Sequence, residues 1–259
     1  MPSLQHMPVL FIGHGSPMNA LANNDFTQNL TRIGAGIFPK PHAICVLSAH
    51  WLSRGVVVNT TPQPETIYDF DGFPDELYRI TYPAPGAPAY AQRALELLPG
   101  SNEDATRGLD HGAWTVLHHM FPDADIPVFQ ISIDYRKPMQ FHFDLARRLT
   151  ALRHEGVIII GSGNIVHNLQ MVNFSADAPT YPWAIDFDAW VKEKIDARDF
   201  SALINYEQHG ETALLSIPTP DHYIPLLYCL GLADAAEPIT YSYEGYELGS
   251  MSMRCIRIG

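Results

Sequence analysis

PVLFIGHGSP (8–17), AICVLSAHW (43–51) and VIIIGSGNIVH (157–167) share one construction: an apolar, largely β-branched run that ends on small residues and then delivers a histidine. Continuous runs of this kind read as strands buried on both faces, the habit of parallel sheets. The segments 56–59 (VVVN) and 128–133 (VFQISI) read the same way. Two more, 239–243 and 252–258, alternate better and are expected at an antiparallel edge. Between the strands lie helical patterns. APAYAQRALELL (87–98) begins with a proline in its first turn and stops at Pro99-Gly100. Segments 138–153 and 183–195 are amphipathic, and 222–232 is apolar throughout. Strands alternating with helices give an α/β fold, a central, mostly parallel mixed sheet flanked by helices.

The 259 residues sit at the upper end of what one core organises, so the chain reads as one domain. One stretch breaks the rhythm. Residues 60–88 are rich in proline, lack periodicity and carry Tyr68, Phe70, Phe73, Tyr78 and Tyr82. An aperiodic stretch of that length inside a compact domain marks a functional loop, here a pocket wall or lid.

Composition removes several classes of function. With 28 acidic against 16 basic residues and a net charge of -12, the chain lacks the basic stripe that a nucleic-acid backbone requires. No basic leader opens it, and no window approaches the roughly 18 apolar residues of a membrane span. Cys45, Cys229 and Cys255 are far apart in apolar runs, the pattern of buried free thiols in a reducing compartment. A cytoplasmic protein is expected, and a monomer is compatible with everything above.

Four of the 12 histidines occupy telling positions. In open α/β sheets ligands bind outside the carboxyl ends of the strands. His14, His50 and His167 each follow a strand run, so parallel strands would bring them to one crevice. His111 lies in GLDHGAW, a turn leading into a helix expected over 114–120. Gly13, Gly15, Gly161 and Gly163 allow sharp turns and close approach. Neutral imidazole is a common metal ligand and also titrates near neutrality, so such a cluster suits metal binding or proton transfer. His6, His42, His118, His119, His142, His154 and His209 read as structural. No HExxH or CxxC is present, GSG at 161–163 lacks the third glycine of a dinucleotide site, and neither Ser16 nor Ser162 sits in GxSxG.

Six blocks in order, FIGHGSP (11–17), LSAHW (47–51), YDFDGFPDELYRITYPAPG (68–86), GLDHGAW (108–114), GSGNIVHNL (161–169) and TPDHYIPLLY (219–228), together resemble the DOPA 4,5-dioxygenase family of class III extradiol ring-cleavage dioxygenases. The resemblance implies one divalent non-haem metal, Zn2+ or Fe2+, on His14, His50 and His222, with Asp221 a lesser candidate. It implies His167 as the catalytic histidine, or alternatively a fourth ligand, and His111 as a second histidine near the substrate. The implied partners are a catechol and dioxygen, and the implied reaction opens DOPA between carbons 4 and 5 to seco-DOPA, the precursor of betalamic acid. Tyr68, Phe73 and Tyr82 are the expected substrate contacts. The same residues are also compatible with a zinc-dependent hydrolase, in which His167 serves a metal-bound water, or with a metal-binding protein that turns nothing over.

Overall fold

A computed structural model describes residues 6–175 and 178–259. Six strands, β1 Val9–Gly13, β2 Ala43–Ser48, β3 Val128–Gln130, β4 Val157–Gly163, β5 Ile239–Tyr243 and β6 Cys255–Ile258, form the central sheet in the order β3-β2-β4-β1-β6-β5. The first four run parallel, while β6 is antiparallel to both β1 and β5. This is the mixed sheet with an antiparallel edge that the alternating C-terminal pattern implies.

Helices α1 Asp25–Ala35, α2 Pro88–Leu97, α3 His111–Met120, α4 Met139–Ala146, α5 Pro182–Asp196 and α6 Ile224–Gly231 cover both faces. Side chains alternate across a strand, so consecutive residues of one apolar run feed two cores. Phe11, Cys45, Leu47 and Ile159 pack with α2, α4, α5 and α6. Leu10, Ile12, Val46 and Ile160 pack with α1 and α3. The three cysteines are buried and free.

Several elements differ from their expected extents. Residues 56–59 do not enter the central sheet: Val57–Asn59 pairs with Asn102–Asp104 instead. The run 128–133 splits, because Ile131 N donates to Val46 O at 3.0 Å while Ser132 turns to accept from Val57 N. Ile133–Asp134 then pairs with Leu52–Ser53. The run 252–258 also divides, Met251–Ser252 pairing with Tyr246–Glu247 before β6 begins. Helix 138–153 is interrupted by a 3-10 turn at Arg147–Leu149, and α3 starts at His111, three residues early, capped by Asp110. The last apolar helix begins at Ile224, since Pro225 fits only a first turn. His222 belongs to a separate 3-10 turn before it.

Candidate metal centre

The carboxyl ends of β1, β2 and β4 are neighbours in register, Gly13 opposite Gly163 and Ser48 opposite Ser162. His14 and His50 emerge there side by side, His14 N donating to Gly163 O and Ala49 N to Ser162 O, each at 3.0 Å. His222 arrives from the other direction. Asn164 N donates to its carbonyl at 2.9 Å, and a Cβ on Gly163 would stand only 2.1 Å from that oxygen. Glycine at 163 is what admits the turn. One ring nitrogen from each of His14, His50 and His222 lies within 4.8 Å of the others, and the Nε2 atoms of His14 and His50 are 3.0 Å apart.

The partners of these rings assign their tautomers. Ser162 Oγ donates to Gly112 O at 2.5 Å, so it accepts from His14 Nδ1 at 2.9 Å. Asp221 accepts from His222 Nδ1. Asp69 Oδ2 lies 3.6 Å from His50 Nδ1. His14 and His222 are therefore held from behind through Nδ1, with Nε2 turned inward, as metal-binding histidines are, while Asp69 stands behind His50 beyond hydrogen-bond reach. His222 Nε2 is buried with no hydrogen-bond partner among the described residues. Burial, followed by the charges of the neighbouring histidines, holds His14 and His50 well below the usual imidazole range, so both stay neutral. Burial pushes the Asp221 carboxyl up, but the hydrogen bond and charge of His222 outweigh it and hold the group well below the usual range. Converging lone pairs without a proton between them repel. A divalent cation removes that repulsion, and three imidazole nitrogens fit zinc or ferrous iron.

Two further histidines face this centre. The ring of His167 stacks on that of His222, centroids 3.5 Å apart and planes within 5°. Burial first, then the charge of His222, brings it down to about 3. His111 packs against His50 at 3.8 Å between centroids. Its Nδ1 is 3.0 Å from Asp69 Oδ1, which also accepts from its backbone N at 2.9 Å. These groups open onto a pocket of about 290 Å³ walled by Phe70, Phe73, Leu169, Val172, Phe174, Leu248 and Met251.

The segment 60–88 contributes to this wall less than its aromatics suggest. Phe73 lines the pocket, but Tyr68 and Tyr82 do not. Tyr68 donates to Ile80 O at 2.7 Å and lies against Trp114, while Tyr82 is buried in the core and donates to Phe121 O at 3.0 Å. The segment's central residues at the site are Asp69 and Phe70 instead. Asp69 went unread because an acid in DFDGF looks like any loop acid. Ser162, read only as a failed nucleophile, is the hydroxyl that orients His14. Of the remaining histidines, His142 is buried against Tyr228 OH at 3.1 Å, and His119 meets Asn19 O at 2.8 Å.

An open α/β sheet with three imidazoles at its carboxyl edge, facing an aromatic pocket, is the framework of a metal site that receives a small ring-bearing molecule. Residues 3–255 match the family described as the catalytic LigB subunit of aromatic ring-opening dioxygenase, and the chain belongs to it. It is an oxygenase of the class III extradiol superfamily, whose members use a non-haem metal, a small aromatic substrate and dioxygen. The chain is 49% identical over 263 residues to the 4,5-DOPA dioxygenase extradiol of Escherichia coli K12, covering 99% of this chain and 96% of that one. With the protein of that name from Beta vulgaris it shares 40% identity, over 91% of each. The crystal structure of an uncharacterized protein from Escherichia coli K12 superposes with a TM-score of 0.86 at 46% identity, over 98% of this chain and all of that one. No helix among the described residues is long and apolar enough to cross a membrane.

Proposed function

We propose that this chain opens catechol rings beside the diol, cleaving DOPA between carbons 4 and 5 to seco-DOPA, with a divalent metal held by His14, His50 and His222. The observation that carries this reading is the inward Nε2 set, facing an apolar pocket that also receives His167 and His111. The relatives' names supply DOPA as the catechol to try first. When bound, the metal supplies the Lewis acidity that lowers a catechol's pKa and, as Fe2+, the redox chemistry that zinc lacks.

The protein's own groups do the rest. Phe70 and Phe73 offer aromatic faces to the ring, and the apolar wall excludes water. His167 is a proton carrier rather than a fourth ligand. Two parallel rings 3.5 Å apart hold their lone pairs in separate parallel planes, so the two do not converge on one ion. Neutral at working pH, a ring nitrogen of His167 accepts a diol proton and returns it later in the cycle. His111, oriented by Asp69, holds the opposite side of the pocket.

Iron-loaded protein should consume oxygen with DOPA and release a yellow ring-opened product, while zinc-loaded protein should bind the catechol without turnover. Absence of oxygen uptake with any catechol after iron loading would sink the proposal.

A further inference from the structure

The pocket in front of the candidate ligands encloses about 290 Å³, at the lower edge of the roughly 300 Å³ typical of sites for drug-sized molecules. One ring with a short substituent fits within it. Beyond the histidines its wall is mainly apolar, Phe70, Phe73, Leu169 and Phe174 among it, with Ser16 and Asp69 the polar side chains among the described residues. Leu169 and Phe174 are 61% and 81% exposed, so apolar surface extends to solvent along the entry. Clustered exposed apolar side chains beside a cleft mark a surface that contacts a ligand.

The charge of the lining points the same way. No lysine or arginine is among the described residues that line the pocket. The only carboxylate among those residues, Asp69, lies 3.0 Å from His111 Nδ1 and accepts from the His111 backbone N. A carboxylate on the substrate's side chain would shed water against this wall and gain no ion pair. An ammonium would find only an acid already set against His111. Each methylene laid on the wall, in contrast, favours binding by about fourfold.

We propose that the preferred substrates of this site are catechols whose ring substituent is short and uncharged, with DOPA a poorer substrate of the same pocket. This rests on the extradiol reading above. A matched series isolates side-chain charge: 4-propylcatechol, 3-(3,4-dihydroxyphenyl)propanoate and DOPA, each with a three-carbon substituent. On iron-loaded protein, kcat/KM for 4-propylcatechol should exceed that for either charged compound by about tenfold or more, mainly through KM. Equal or higher kcat/KM for DOPA or the propanoate overturns the inference.

Calorimetric titration of zinc-loaded protein reads the same preference without turnover. If no catechol is cleaved, the extradiol reading fails while the binding order still tests the pocket. The surface substitution Leu169→Arg supplies the missing cation. It should raise affinity for the propanoate severalfold and lower that for 4-propylcatechol; an unchanged order counts against the proposal.

Discussion

His222 and His167 are stacked neighbours, yet the plane of each ring gives it a different task. His222 Nε2 points inward and has no hydrogen-bond partner among the described residues, whereas the His167 lone pairs lie in a parallel plane, one ring thickness away. His222→Ala should therefore abolish stoichiometric metal binding, measured by elemental analysis after dialysis. His167→Ala should keep about one metal per chain and lose about 10² to 10⁴ in oxygen uptake with a catechol. Loss of metal in the His167 variant would make it a ligand after all. Asp69 joins the two halves of the site, one carboxylate oxygen toward His50 and the other on His111. Its pKa is pushed up by burial but pulled lower overall by the hydrogen bond and charge of His111. Asp69→Asn keeps the shape and removes the charge. Turnover should fall about 10- to 100-fold with thermal stability little changed, as for partners that orient metal-binding histidines. Wild-type turnover in that variant would reduce Asp69 to a bystander.

At the scale of elements, one glycine explains why the third proposed ligand was invisible to spacing. His14 and His50 could be read from strand ends because β1 and β2 announce themselves as continuous apolar runs. His222 lies on a 3-10 turn, and it reaches the site through a tertiary contact of its carbonyl with Gly163 and Asn164. No local pattern encodes such a contact; only the family resemblance singled His222 out. The same limit explains the misplaced strands. Val57–Asn59 looks like a core strand, but its partner Asn102–Asp104 is short and polar, and nothing in its composition marks a strand. Gly163→Ala tests the contact directly. A Cβ 2.1 Å from His222 O forces the turn outward, costing about 1–3 kcal/mol of stability. Metal affinity should fall with it, although no ligand has been changed. A variant that melts lower yet binds metal as tightly as wild type would show that the turn adapts.

For the whole molecule, convergence of the histidines depends on strand order, β2-β4-β1, and on parallel direction. Direction was legible from double-sided burial; order was not, since it is set by contacts between distant segments. The opposite edge of the sheet is fastened by a buried ion pair. Arg153 donates to Met7 O at 2.8 Å, Leu232 O at 2.9 Å and Glu237 Oε2 at 3.1 Å, tying the approach to β1, the end of α6 and the approach to β5. Burial pushes the Glu237 carboxyl up, but hydrogen bonds from Arg153, the Asp234 backbone and His6 bring it to about 2, against an ordinary 4.5. A depressed folded-state pKa contributes stability that is complete above pH 4.5 and lost as pH falls toward 2. Glu237→Gln leaves Arg153 buried without its counter-charge, so it should lose about 3 kcal/mol at neutral pH. Melting of metal-free protein in chelator, from pH 7 to 2.5, separates this pair from the metal centre. The histidines of the candidate site are the same in both proteins, so a difference in slope below pH 4.5 belongs to Glu237 and the groups it contacts, Arg153 and His6. Wild type should fall more steeply there, and the two curves should draw together; parallel curves would mean that the pair does not fasten the sheet.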